Sequence, residues 1–122
     1  MRVLVVDDSP DVRFMLRILL EDAGMEVDEV TSGAAALEWL LGDETAPRPD
    51  AVVLDQRMPA MTGLEVMQEL AAQGSNIPVI LFSAYLHPEL HAEAERLGAV
   101  PVTKSDLGEL VEAIERHLPL AA

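Results

Sequence analysis

One pattern limits what this chain can fold into more than any other: a short apolar run, then apolar residues at helical spacing, five times over. The first run, RVLVV, ends at Asp7-Asp8 and reads as a strand buried on both faces. Ser9-Pro10 supplies a cap and a first-turn proline. Val12, Met15, Leu16, Leu19, Leu20 and Ala23 then share one predicted helix face, which stops at Gly24. A second, weaker strand is expected over residues 27–30, and Ser32 caps a predicted helix through Leu37, Leu40 and Leu41 to Gly42. The Pro- and charge-rich DETAPRPD is a loop. AVVL forms the third strand, ending at Asp55, and a third helix is expected from Gly63 to Gln73, closing at Gly74. PVILF is the fourth strand, ending at Ser83, and HPELHAEAERLG a short, mostly polar helix. VPV is the fifth strand, with Lys104 just past it. The last helix carries Leu107, Leu110, Val111, Ile114 and Leu118 on one face and is ended by Pro119.

Five βα units in this order predict an α/β fold with a parallel sheet and helices on both faces, because each crossover is right-handed and returns over the sheet. Pro101 cannot donate to a ladder, so the fifth strand belongs at a sheet edge. The strand order 2-1-3-4-5 meets that condition. A chain of 122 residues suits a single domain, 1–122, with one core. Its 22 acidic residues against 8 basic ones give a net charge of −14, which argues against direct binding to nucleic acid or to anionic membranes. Cysteine is absent, which excludes disulfides, thiolate metal sites and a cysteine nucleophile. No apolar run nears the length of a membrane span, and two acids interrupt the N-terminus before a signal-peptide core could form. A cytoplasmic location is the expectation.

Ligands of an open parallel sheet sit outside the carboxyl ends of its strands. Those ends carry Asp7 and Asp8, Asp55, Ser83 and Lys104. Three carboxylates, a hydroxyl and an ammonium therefore converge on one rim. Carboxylates so crowded call for a hard divalent cation, and Mg²⁺ fits because it takes few protein oxygens and keeps waters that a phosphate can replace. Asp55 is then a candidate nucleophile toward phosphorus. The transferring phosphoryl needs its oxygens neutralised, a task open to the ion, to Lys104 as a point charge, and to the Ser83 hydroxyl with nearby backbone N–H groups. Lys104 is the only lysine among the eight basic residues.

VLVVDDSP at residues 3–10, DQRMPAMTG at 55–63, Ser83-Ala84 and the isolated Lys104 together resemble the receiver domain of two-component response regulators, over essentially the whole chain. The resemblance implies the flavodoxin-like three-layer sandwich of the chemotaxis regulator, with strand order 2-1-3-4-5 and five helices. It makes Asp55 the phosphoacceptor, and Asp8 and Asp55 direct Mg²⁺ ligands. Asp7 would bind the ion through water, and the backbone carbonyl of Arg57 would be a further ligand. Lys104 would pair with the phosphoryl, and Ser83 would swing toward it. Met58-Pro59 and Gly63 would shape the neighbouring loop. The implied donor is a sensor histidine kinase, a phosphotransfer protein or a small phosphodonor. The implied output is a downstream protein partner or a missing effector domain, reading the fourth helix, fifth strand and fifth helix. Such a domain is a switch, not an enzyme in its own right. It is either a stand-alone regulator or part of a longer chain; Met1 just before the first strand favours a natural N-terminus, and PLAA leaves the C-terminus open.

Two positions depart from the family pattern. Ser105 stands where a cis proline usually follows the lysine; a cis bond without proline costs about 3–4 kcal/mol, so a trans Lys104–Ser105 bond is expected. Pro101 stands where many members have a rotating Tyr or Phe, which makes Tyr85, two residues past Ser83, the candidate gate. A phosphorylation-independent interaction module is the alternative reading, and these two changes favour it. An aspartate-nucleophile phosphatase would want a second Asp where Arg57 stands. His87 and His91 are spaced i, i+4, but Pro88 makes His87 a cap rather than a zinc ligand. Trp39 is assigned to packing of the second helix, and the polar face of the fourth helix to solvent.

Overall fold

The computed structural model describes residues 1–42 and 44–117. Its strands are β1 (Arg2–Val6), β2 (Glu26–Val30), β3 (Ala51–Leu54), β4 (Val79–Ser83) and β5 (Val100–Thr103). All pair in parallel in the order β2-β1-β3-β4-β5, as expected. The helices are α1 (Pro10–Asp22), α2 (Gly33–Leu37), α3 (Gly63–Ala72), α4 (Pro88–Arg96) and α5 (Leu107–His117). The Leu118 and Pro119 expectations lie outside the described residues.

Alternate residues of each strand feed two cores, which is why the central strands read as unbroken apolar runs. Val3, Val5, Val53, Ile80 and Phe82 face α1 and α5, meeting Leu16, Leu20, Leu110 and Ile114. Leu4, Val6, Val52, Leu54 and Leu81 face α2, α3 and α4, meeting Ala36, Val66, Leu70, Leu90 and Ala94. β2, paired on one side only, carries three acids, Glu26, Asp28 and Glu29, and Pro101 sits in β5 on the opposite edge.

Helix ends follow the local chemistry. Ser9 Oγ accepts the Val12 N–H at 3.3 Å and His87 Nδ1 accepts the Leu90 N–H at 3.2 Å, so His87 is the expected cap. Thr62 and Glu65 form a reciprocal capping box at α3. Gly24, Gly74 and Gly98 close α1, α3 and α4 at positive φ, where a Cβ would be strained. No peptide bond among the described residues is cis, so Lys104–Ser105 is trans.

Two helix faces differ from the periodicity. In α1, Leu16 and Leu20 are buried but Met15 and Ala23 are exposed. Met15 points about 100° away from Leu16 around the helix, and Ala23 already belongs to the C-terminal turn. The second helix does not run as one α-helix to Gly42: after Leu37 it continues as a π-helical turn, Glu38–Gly42. That wider turn buries Leu40 and leaves Leu41 exposed. Arg48 Nη1 donates to the Leu40 carbonyl at 2.6 Å, and Trp39 Nε1 to the Pro47 carbonyl at 2.9 Å, so the following loop is tied back onto this turn.

Candidate functional site

The carboxyl ends of β1 and β3 are adjacent, joined by the Asp55 N–H donating to the Val6 carbonyl at 2.9 Å. This pairing delivers Asp7, Asp8 and Asp55 to one spot, where each offers a carboxylate oxygen within 4.8 Å of the others. Asp7 and Asp55 are buried and Asp8 is exposed. Lys104 reaches in from the end of β5, its Nζ 3.0 Å from Asp7 Oδ2 and 3.1 Å from Asp55 Oδ1. Asp7 is further held by the Ser9 N–H on its Oδ1 at 2.9 Å. Among the described residues no hydrogen bond or ion pair engages the Asp8 carboxylate.

Burial pushes the Asp55 carboxyl above the usual carboxylate range, and the Asp7 charge adds to it; Lys104 and the Arg57 backbone N–H offset part of the rise. Burial works against the Lys104 charge too, but hydrogen bonds to Asp7 and Asp55 overcome it and hold the ammonium protonated above its usual value. Three carboxylates and one ammonium leave two formal negative charges in a largely dry site. A divalent cation balances that excess. The donors are all hard oxygens, the set that Mg²⁺ takes, so the residues present fit the ion.

The next loop is strained against the site. Ala60 has φ 68°, and the Met61 N–H donates back to the Pro59 carbonyl at 2.7 Å, which makes a tight γ-turn. Beyond it, Gly63 passes so close to β3 that a Cβ there would lie 2.4 Å from the Asp55 carbonyl oxygen and 2.9 Å from Leu81 Cδ1. Only glycine lets α3 start this near Asp55.

Ser83 is buried at the end of β4, but its hydroxyl is not on the acids. Its Oγ donates to the Tyr85 carbonyl at 3.1 Å and lies 3.2 Å from the Tyr85 N–H. Ser83 also carries Lys104 at the backbone, the Lys104 N–H donating to its carbonyl at 2.9 Å. The Arg57 side chain leaves the rim and lies over Tyr85, its Cζ 5.5 Å from the ring centroid. Periodicity located the acids and the lysine. It could not show the Ser83–Tyr85 tie or the Arg57–Tyr85 contact, because each joins loops from different strand ends or runs through backbone atoms.

The model of the response regulator receiver domain matches residues 3–115. The sporulation initiation phosphotransferase F of Bacillus subtilis is 31% identical over 121 residues, covering 98% of this chain and 94% of its own. The regulatory protein AtoC of Escherichia coli is 37% identical over 121 residues, covering 98% of this chain but only 25% of its own. Among solved structures, the response regulator TrrA of Thermotoga maritima, in complex with Mg²⁺ and BeF, superposes with a TM-score of 0.79 at 31% identity, over 94% of this chain and 96% of that one.

Proposed function

The chain belongs to the family of response regulator receiver domains, and on that premise we propose that it accepts a phosphoryl group on Asp55. The observation that carries this reading is the seat of Lys104, which bridges Asp7 and Asp55 while Asp8 completes the acid cluster. Asp8, Asp55 and the Arg57 carbonyl would hold a Mg²⁺ ion, with Asp7 reached through water. When bound, the ion supplies positive charge to the carboxylates and to the phosphoryl oxygens.

The chain's own residues do the rest. The Asp55 carboxylate oxygen forms a bond to phosphorus as the bond to the donor's leaving group breaks. Lys104 stands within hydrogen-bond reach of Asp55 and neutralises one phosphoryl oxygen. The Ser83 hydroxyl must give up its two bonds to the Tyr85 backbone before it can turn to the phosphoryl. Its movement therefore releases Tyr85, two residues before the His87 cap of α4. That route replaces the one that Pro101, having no ring to rotate, cannot provide. The helix it reaches holds few buried anchors, Leu90 and Ala94, which suits an element that shifts between two states.

The donor is a sensor histidine kinase, a phosphotransfer protein or a small phosphodonor. The output is a protein partner or an effector domain reading α4, β5 and α5, in keeping with the greater length of AtoC. With a net charge of −14 and no described helix long and apolar enough to cross a membrane, the domain acts in the cytoplasm on proteins, away from nucleic acid. The test is intact mass after incubation with Mg²⁺ and acetyl phosphate, beside Asp55→Asn. A gain of one phosphoryl mass that needs Mg²⁺ and is lost in the variant is expected. No gain from either a small donor or a histidine kinase would leave the phosphorylation-independent interaction module as the better reading.

A further inference from the structure

Two of the three acids at the rim stand on the short segment that leaves β1, and the sheet gives that segment little support. The pairing of β1 ends at Val6, opposite Val30 and Leu54. One further bond follows, from the Asp7 N–H to the Val30 carbonyl, stretched to 3.3 Å. The Asp7 carbonyl lies past the last strand pair and accepts from a side chain instead: Arg13 Nη1 donates to it at 2.8 Å. The same guanidinium donates through Nε to Glu29 Oε1 on β2 at 3.1 Å. Arg13 is therefore fixed at three points: by its own place in α1, by β2, and by the peptide that joins the two acids. Its side chain is 16% exposed, against 35% for Arg17. Among the described residues, the Arg17 guanidinium meets only carboxylates, those of Glu29 and Glu21.

A peptide unit is planar, so whatever fixes its carbonyl also fixes the direction in which the next Cα leaves it. Here the next Cα is that of Asp8, an exposed residue whose carboxylate has no partner of its own among the described residues. Its direction comes from the backbone, and the backbone is held by Arg13. Resting on the reading of Asp8 and Asp55 as Mg²⁺ ligands, we propose that Arg13 is a positioning residue for the metal site, whose bond to the Asp7 carbonyl orients the Asp7–Asp8 peptide so that the Asp8 carboxylate gathers with those of Asp7 and Asp55. The sign of the effect sets positioning apart from charge. Arg13 is a cation beside a cluster of acids. If charge were all it contributed, its removal would strengthen the pull on a divalent cation. A residue that positions a ligand does the reverse, and its removal weakens binding.

Arg17 provides the control, because it shares Glu29 with Arg13 and leaves the Asp7 carbonyl alone. Mg²⁺ affinity is measured by calorimetry on the whole chain for the wild type, Arg13→Met, Arg13→Lys and Arg17→Met. Arg13→Met is expected to raise the Kd for Mg²⁺ about tenfold, the value of one hydrogen bond that orients a metal ligand. Arg13→Lys, which keeps the charge and a donor, should fall between Arg13→Met and the wild type, and Arg17→Met should leave the Kd unchanged. Transfer from acetyl phosphate is then followed by intact mass across a Mg²⁺ titration. In Arg13→Met the half-saturating Mg²⁺ should rise by the same factor, while the rate at saturation returns close to that of the wild type. An Arg13→Met chain that binds Mg²⁺ as tightly as the wild type, or more tightly, overturns the proposal while leaving the metal site intact. Equal weakening in Arg17→Met overturns it too, as does a lowered plateau with an unchanged half-saturation, which marks a merely structural role. A wild-type chain that binds no Mg²⁺ would remove the metal reading itself, and the proposal with it.

Discussion

The molecule holds two clusters of charge on neighbouring strands, and they are built on opposite terms. Along the β2 edge, Arg2 pairs with Glu26 and Asp28, while Arg13 and Arg17 share Glu29, and Arg17 also meets Glu21. Three cations face four acids there, most of them in contact with water. At the rim, three acids face one cation, with Asp7 and Asp55 buried. A nearly balanced, wet cluster contributes little to stability and loses little when cut. An unbalanced, dry one costs stability, and such a cost persists where the excess charge is used to bind something. The balance of charge, more than the number of charged residues, separates structural from functional electrostatics in this fold. Arg13 touches both clusters, since it also donates to the Asp7 carbonyl at 2.8 Å.

The sharpest way to break that contrast is to remove the central cation from each cluster. Lys104→Met is expected to slow phosphoryl transfer to Asp55 by roughly a hundredfold or more, the range found when one preorganised donor is taken from a developing charge. Calorimetry on the same variant should show tighter Mg²⁺ binding, because Asp7 and Asp55 lose the ammonium that competes for their oxygens. Arg17→Met should do neither. If the two variants behaved alike in transfer and in Mg²⁺ binding, the rim would be one more structural ion pair.

A smaller effect tests whether the rim costs stability. The Asp55 carboxyl is raised above its ordinary value of 3.8 by burial and by Asp7. The folded state therefore takes up the proton more readily than the unfolded chain, and stability falls as pH rises through that window. Above the folded value the cost is fully present; below the ordinary value it is gone. Asp55→Asn should raise the melting temperature of the metal-free protein by a few degrees at neutral pH. The gain should fade as the pH is lowered toward the ordinary carboxylate range. Added Mg²⁺ should narrow the gap by stabilising the wild-type chain. A variant that melts lower at neutral pH would show that the Lys104 pairing outweighs the crowding.

This contrast was only half legible in the sequence. Strand ends are set by where apolar runs stop, and a parallel sheet brings those ends together, so Asp7, Asp8, Asp55 and Lys104 could be placed on one rim from spacing alone. The edge position of β5 followed from the missing N–H of Pro101. The ion pairs of β2 could not be read, because partners such as Arg2 and Asp28 meet only once strand register is known. Helical spacing at Leu37, Leu40 and Leu41 does not distinguish an α-turn from the π-turn that forms, and it carries no sign of the ties between that turn and the loop, from Trp39 to the Pro47 carbonyl and from Arg48 to the Leu40 carbonyl. The T-x-x-E spacing of Thr62 and Glu65 does carry a capping signal that apolar periodicity passes over.

The smallest expected effect lies on the β2 edge, and it decides whether Arg13 joins the two clusters or merely spans them. Glu29→Gln removes the charge that Arg13 and Arg17 share at 3.1 Å and 2.6 Å. Both arginines remain near water, and Arg13 keeps its bond to the Asp7 carbonyl. The loss should therefore be at most about 1 kcal/mol in denaturant unfolding, and smaller still as salt screens the cluster. The rate of phosphoryl transfer to Asp55 should not change. A loss well beyond that range, or a slowed transfer, would mean that Glu29 orients Arg13 so that Arg13 can position Asp7. The balanced edge would then be a support for the unbalanced rim, and the two clusters would have to be treated as one coupled unit.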